Sequence, residues 1–233
     1  VIEVYVTVDV GPRIIRFGFT GGQNIMCDNR AAGDPKNDAE FESFFGKGKK
    51  WEILGGHRIW CSPESYPETY YPDLDPVKYE ITADGAIFTP APERENGVQK
   101  QLCVRLDPDD ANMQVTMRVT NISGAAKEFA VWGLTVSAAG GTLIIPMNDN
   151  DTGLLANRNI SVWSYTNLAD SRLRFGERYV TVKQDTGINR SLKLGFDLNQ
   201  AEAYYCLGDD IFRKTYETYH PHEKYPDNNC SFE

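Results

Sequence analysis

The chain has 233 residues, 24 of them Lys or Arg and 33 Asp or Glu, for a net charge of −9, and its 41% hydrophobic and 24% charged content excludes a disordered or fibrous protein. The acidic balance argues against nucleic acid as a partner, because recognition of a phosphate backbone relies on a basic face. The one short basic run, Lys47, Lys49 and Lys50, reads as a solvated loop, and no apolar stretch approaches the roughly 20 residues needed to cross a bilayer.

The chain opens in an alternating segment, with Val4, Val6, Val8 and Val10 set against Glu3, Tyr5, Thr7 and Asp9, the period-two signature of a strand with one buried face. The segment 13–19 follows as a second strand. One helical stretch is expected at 38–45, where Phe41, Phe44 and Phe45 share a side before Gly46 and Gly48 end it. Further strands are predicted at 78–82, 86–89, 101–107, 113–119, 129–136, Thr142–Pro146, Tyr179–Lys183, 192–196, Glu202–Leu207 and 211–216. Turn chemistry such as Asp84-Gly85, Asp107-Pro108-Asp109 and Gly208-Asp209 separates them. A meander of short antiparallel strands without a 20–50-residue repeat points to an all-β protein with stacked sheets, read as a single β-sandwich domain over residues 1–233.

Five widely spaced cysteines, Cys27, Cys61, Cys103, Cys206 and Cys230, form no CxxC pair and exclude a zinc ribbon or a thioredoxin-like motif. Two disulfides with one free thiol and five buried thiols are both open readings. The chain begins in a strand without an initiator Met, and Asn-X-Ser/Thr sequences start at Asn121, Asn150, Asn159, Asn189 and Asn229. Both features suit an extracellular or periplasmic protein.

The chemistry concentrates in Gly55-Gly56-His57-Arg58-Ile59-Trp60-Cys61-Ser62-Pro63-Glu64 and in Tyr70-Tyr71-Pro72-Asp73. Paired glycines let a backbone turn tightly and approach a ligand, and Arg58 offers a planar fork of donors. Aromatic rings beside polar groups match a sugar, whose C–H faces stack while its hydroxyls take hydrogen bonds, so carbohydrate is the expected partner. His220-Pro221-His222 with Glu223 and Asp227, and the run Asn148-Asp149-Asn150-Asp151-Thr152-Gly153, are poor metal sites, since the first lacks a third nitrogen or sulfur ligand and the second lacks the twelfth-position glutamate of a calcium loop. No metal or other cofactor is expected.

These runs, together with Gly11-Pro12-Arg13-Ile14-Ile15-Arg16-Phe17-Gly18, Gly97-Val98-Gln99-Lys100, Trp132-Gly133-Leu134-Thr135, Trp163-Ser164-Tyr165 and Tyr225-Pro226-Asp227, resemble the bacterial galactose mutarotase-like proteins of unassigned function. The resemblance covers nearly the whole chain in motif order. It implies the antiparallel supersandwich of aldose 1-epimerases, with a concave sugar-binding face, and further strands beyond Tyr-Pro-Asp, so that a sequence ending at Glu233 is either a shortened version of the fold or one whose C-terminal strands lie outside it. Mutarotases use a mid-chain histidine as general acid and a late glutamate as general base. The matching strand here, Phe129-Ala130-Val131-Trp132-Gly133-Leu134-Thr135, has no histidine. The resemblance therefore shifts the acid role to His57 and the base role to Glu233. Substrate binding falls to Arg58, Trp60, Glu64, Tyr70, Tyr71, Trp132, Lys100 and Lys214, with the lysines able to stabilise an alkoxide or hold an acidic sugar. Three readings follow from this set: an aldose epimerase or related sugar-active enzyme, a non-catalytic carbohydrate-binding module, and an assembly protein that self-associates through strand edges.

Overall fold

In the computed structural model, which describes residues 1–31, 35–217 and 224–233, the chain separates into two compact units, Val1–Ser137 and Ala138–Glu233. Both are predominantly β and all their sheets are antiparallel. Among the described residues no helix is long and apolar enough to cross a membrane.

The first unit contains β1 (Ile2–Val6), β2 (Ile14–Phe19), β3 (Pro35–Lys36), the helix α1 (Ala39–Phe45), β4 (Trp51–Glu52), β5 (Gly56–Ser62), β6 (Lys78–Ile81), β7 (Gly85–Thr89), β8 (Val98–Leu106), β9 (Met113–Asn121) and β10 (Ala130–Val136). One four-stranded sheet runs β1-β2-β5-β10 and another runs β6-β7-β8-β9, with β3-β4 as a separate ribbon. The two sheets stack. Ile14 and Ile59 from the first meet Phe88, Leu102 and Val104 from the second, and Met113, Val115, Met117 and Val119 of β9 pack on the same core. Alternation explains the arrangement, because every second residue of β8 and β9 points inward and the intervening ones face outward.

The expected helix forms over Ala39–Phe45. Asp38 caps it by accepting from the Phe41 N–H at 2.9 Å, and Gly46 closes it with φ 106°. Phe41 and Phe45, four residues apart on one face, lie with ring centroids 4.9 Å apart and pack with Trp51 and Trp60 into a second core.

The second unit comprises β11 (Thr142–Pro146), β12 (Ile160–Val162), β13 (Leu173–Phe175), β14 (Tyr179–Lys183), β15 (Leu194–Phe196), β16 (Glu202–Leu207) and β17 (Asp210–Thr215). A five-stranded sheet runs β13-β14-β11-β16-β17, and β12 pairs with β15. The loop Gly208-Asp209 joins β16 to β17 with Gly208 at φ 56°. Such a two-residue connection fixes the hairpin register. Ile145, Val180, Leu194 and Phe196 form the core of this unit.

Beside that core Asp170, with its side chain 1% exposed, accepts from Arg172 Nε at 3.0 Å and Nη2 at 2.9 Å and from Arg190 Nη2 at 3.1 Å. The Arg172 side chain, first among the causes, holds this carboxyl well below the usual carboxylate range. A depressed folded-state pKa gives stability that is fully present above the unfolded value, near pH 4, and is lost as the pH falls through the folded value. Asp170→Asn is therefore expected to lower the melting temperature at pH 7, with the gap from wild type closing on acidification below about pH 4. Circular-dichroism melts across pH 2–7 measure this, and parallel curves for the two proteins would contradict it.

All five cysteines are thiols, and Cys230 is buried. Asn148 organises its loop by donating to the carbonyls of Asn157 at 2.9 Å and Asp197 at 2.8 Å. Among the described residues no three His, Cys, Asp or Glu side chains gather as a metal site requires; His220-Pro221-His222 and Glu223 lie outside the described residues.

Candidate functional site

Strand β5 carries the densest group of expected site residues, and its pleat sorts them to opposite faces. His57, Ile59 and Cys61 point one way, while Arg58, Trp60 and Ser62 point the other. His57 pairs across the sheet with Thr135, and its Nδ1 lies 2.9 Å from Thr135 Oγ1. It is buried on the side facing β9, where a Cβ on Gly133 would come within 2.6 Å of Met117 and 3.2 Å of the His57 ring. The imidazole thus sits between the stacked sheets of the first unit.

Arg58 lies on the other face, its guanidinium carbon 4.5 Å from the Trp60 ring centroid and 5.7 Å from that of Trp51. Trp60 contacts Tyr70 edge-on at 5.1 Å and Trp132 at 5.8 Å, and Trp51 meets Tyr70 at 5.0 Å. Cross-strand pairing sets this group, because Trp132 stands opposite Trp60 and Leu134 opposite Arg58. The Tyr70 hydroxyl donates to the exposed Glu64 carboxylate in a very short contact. Burial first, and then the charge of Arg13, push Arg58 down to about 10, which leaves it cationic at neutral pH.

Next to this face a small cleft of about 30 Å³ is lined by Arg13, Trp60, Tyr71, Asp73, Glu93 and Lys100, among others. Two loops set its rim. The Gly11 N–H donates to the Asp73 carbonyl at 2.9 Å and ties the chain before β2 to the segment after Tyr71. Gly11 has φ 101°, and a Cβ there would come within 2.7 Å of the Arg13 nitrogen, so this turn requires glycine.

Two ion pairs line the cleft walls, Arg13 Nη1 to Asp73 Oδ2 at 2.5 Å and Lys100 Nζ to Glu93 Oε1 at 2.6 Å. The second Glu93 oxygen accepts from Asn96 Nδ2 at 2.8 Å. Burial, followed by nearby carboxylates led by Glu93, pushes the Tyr71 phenol up to about 12, so Tyr71 remains a hydrogen-bond donor. Among the described residues Arg13 Nε, Arg13 Nη2 and Asp73 Oδ1 are buried without hydrogen-bond partners. Buried polar atoms in that state are unusual and call for a ligand or water.

Of the residues singled out from the sequence, Trp60, Tyr71 and Lys100 line the cleft. Arg58, Tyr70 and Trp132 share the adjoining aromatic face, with Glu64 at its margin. His57 points to the opposite side of β5, away from Arg58. Lys214 and Glu233 belong to the second unit. Lys214 is half-buried on β17, and burial pushes its ammonium down to about 8. Burial also raises Glu233, against the pull of Lys193 Nζ at 2.7 Å, and that ammonium lies 4.2 Å from the Trp163 ring.

Sequence reasoning passes over Arg13, Asp73 and Glu93 as site residues. Position could have revealed Arg13, since a guanidinium directly after Gly-Pro at the start of an apolar strand has to be buried with a partner. The Gly55-Gly56 pair serves the fold rather than a ligand, as a Cβ on either would run into the backbone carbonyls of Cys27 and Ile14.

No protein-family model, curated protein or solved structure matches this chain.

Proposed function

We propose that this chain recognises a carbohydrate in the cleft of its first unit, on a framework of the galactose mutarotase-like supersandwich type. The observation that carries the reading is the joint presence, in one cleft, of aromatic rings from Trp60 and Tyr71 and of unfilled donors and an unfilled acceptor on the Arg13–Asp73 pair. A pyranose presents apolar C–H faces with donor–acceptor hydroxyls around its rim, which is the complement of such a lining. Two antiparallel sheets stacked on one core support the framework assignment, and export of the protein is part of the same proposal.

The binding form is favoured over the epimerase form by the position of His57. Ring opening needs an acid and a base on opposite sides of one sugar. The His57 imidazole packs between sheets beside Met117, and Asp73 and Glu93 each have one oxygen on a cation. Calorimetry against a panel of mono- and oligosaccharides is expected to find binders that Tyr71→Ala weakens at least about tenfold, with no acceleration of mutarotation in polarimetry. A full panel without a binder would reject the reading, and accelerated mutarotation would restore the epimerase form.

A further inference from the structure

We infer that the sugar bound in this cleft carries an anionic group, a carboxylate or a phosphate, and that Arg13 is its docking point with Arg58 in support; this rests on the carbohydrate reading and names its substrate class. Arg13 lines the cleft yet is only 2% exposed. Its Nη1 holds Asp73, with a longer contact of 3.4 Å to the Pro12 carbonyl, while Nε and Nη2 find no partner among the described residues. Those two nitrogens form one edge of the planar guanidinium, the edge that grips a carboxylate or phosphate through two parallel N–H···O bonds.

Surrounding groups point the same way. Arg58 Nε and Trp51 Nε1 are also buried without hydrogen-bond partners among the described residues, against the acceptors Asp73 Oδ1 and Asn96 Oδ1. The shortage is therefore of acceptors. Lys100 and Glu93 neutralise each other, whereas Arg13 and Arg58 repel one another within the field of Asp73 and, more weakly, Glu64. A neutral hydroxyl would occupy only one of the two donors on that edge. An anion with two acceptor oxygens fills both donors of the free edge of Arg13 at once.

Wild-type protein titrated calorimetrically with galactose, galacturonate, galactose 6-phosphate and inorganic phosphate, and with the corresponding glucose series, tests this directly. At least one acidic sugar is expected to bind tenfold or more tightly than its neutral parent, and the carboxylate and phosphate arms distinguish the two sources of charge. Arg13→Lys keeps the charge but removes the two-pronged edge, so it should erase most of that advantage, lowering acidic-sugar affinity by a larger factor than neutral-sugar affinity. Equal affinity for neutral and acidic sugars in the wild type would overturn the inference and leave the carbohydrate reading standing. Binding of inorganic phosphate alone, or of no probe at all, would overturn both, and because these comparisons use the wild-type protein they do not depend on how well the variant folds.

Discussion

Gly56→Ala is expected to destabilise the first unit by about 4 kcal/mol, more than most single substitutions cost. Gly56 opens β5 with φ 67°, and a Cβ built there would lie 2.3 Å from the Ile14 carbonyl oxygen and 2.9 Å from its carbon. The obstructing atoms are main chain in β2, at the point where Ile14 pairs with His57. No side-chain rotamer change relieves such a clash, so β2 and β5 would have to separate where the apolar core is most tightly closed around Ile14, which is 0% exposed. Gly21→Ala supplies the control. Gly21 has φ 74°, and a Cβ there would meet no atom within 4 Å, so it isolates the left-handed backbone penalty, about 1 kcal/mol. Urea unfolding of the two variants measures the difference, and a Gly56→Ala midpoint no lower than that of Gly21→Ala would contradict the crowding argument.

Position 56 also shows what the sequence does and does not reveal. The alternation of Met113, Val115, Met117 and Val119 announces β9, because that strand has one face in the core and one in solvent. β5 has no such alternation. Six of its seven residues are buried, so polar His57 and Arg58 sit next to apolar Ile59 and Trp60 without a readable period. Its glycines read as a tight turn approaching a ligand and no strand is predicted there, whereas it is an inner strand of the first sheet. Strands β12 and β13, of three residues each, are too short for a period to emerge.

The same limits govern the candidate site. Trp60 and Tyr71 are legible as aromatic residues in a chemically unusual run, and both line the cleft. His57 and Arg58 lie on opposite faces of β5, since neighbours in a strand face opposite ways, and only the sheet assignment reveals this. Arg13 and Asp73 are 60 residues apart and meet through loops tied by the Gly11–Asp73 hydrogen bond. Sequence spacing carries no signal for such a contact, while the geometry shows it at once.

Glu93 and Lys100 provide the second large effect, one that separates a structural from a binding role for Lys100. Lys100 occupies an inward position of β8 between Val98 and Leu102, and the side chains of the pair are 11% and 7% exposed. Glu93→Leu leaves the ammonium buried without its carboxylate and is expected to cost about 3–4 kcal/mol. Lys100→Met should cost about 1 kcal/mol less, because Asn96 still donates to the abandoned carboxylate at 2.8 Å. With both residues replaced, no buried charge remains unmatched, and the double variant is expected to recover most of the loss and cost only about 1 kcal/mol, a coupling energy of about 4–6 kcal/mol in the cycle. Chemical denaturation of the four proteins measures that coupling. The double variant then provides a folded protein whose cleft has lost its ammonium, and calorimetry with whichever sugar the wild type binds reads the consequence. Affinity reduced at least about tenfold in the stable double variant makes Lys100 a ligand contact. Unchanged affinity makes the pair a structural strut, and leaves Arg13 as the cation that meets the ligand.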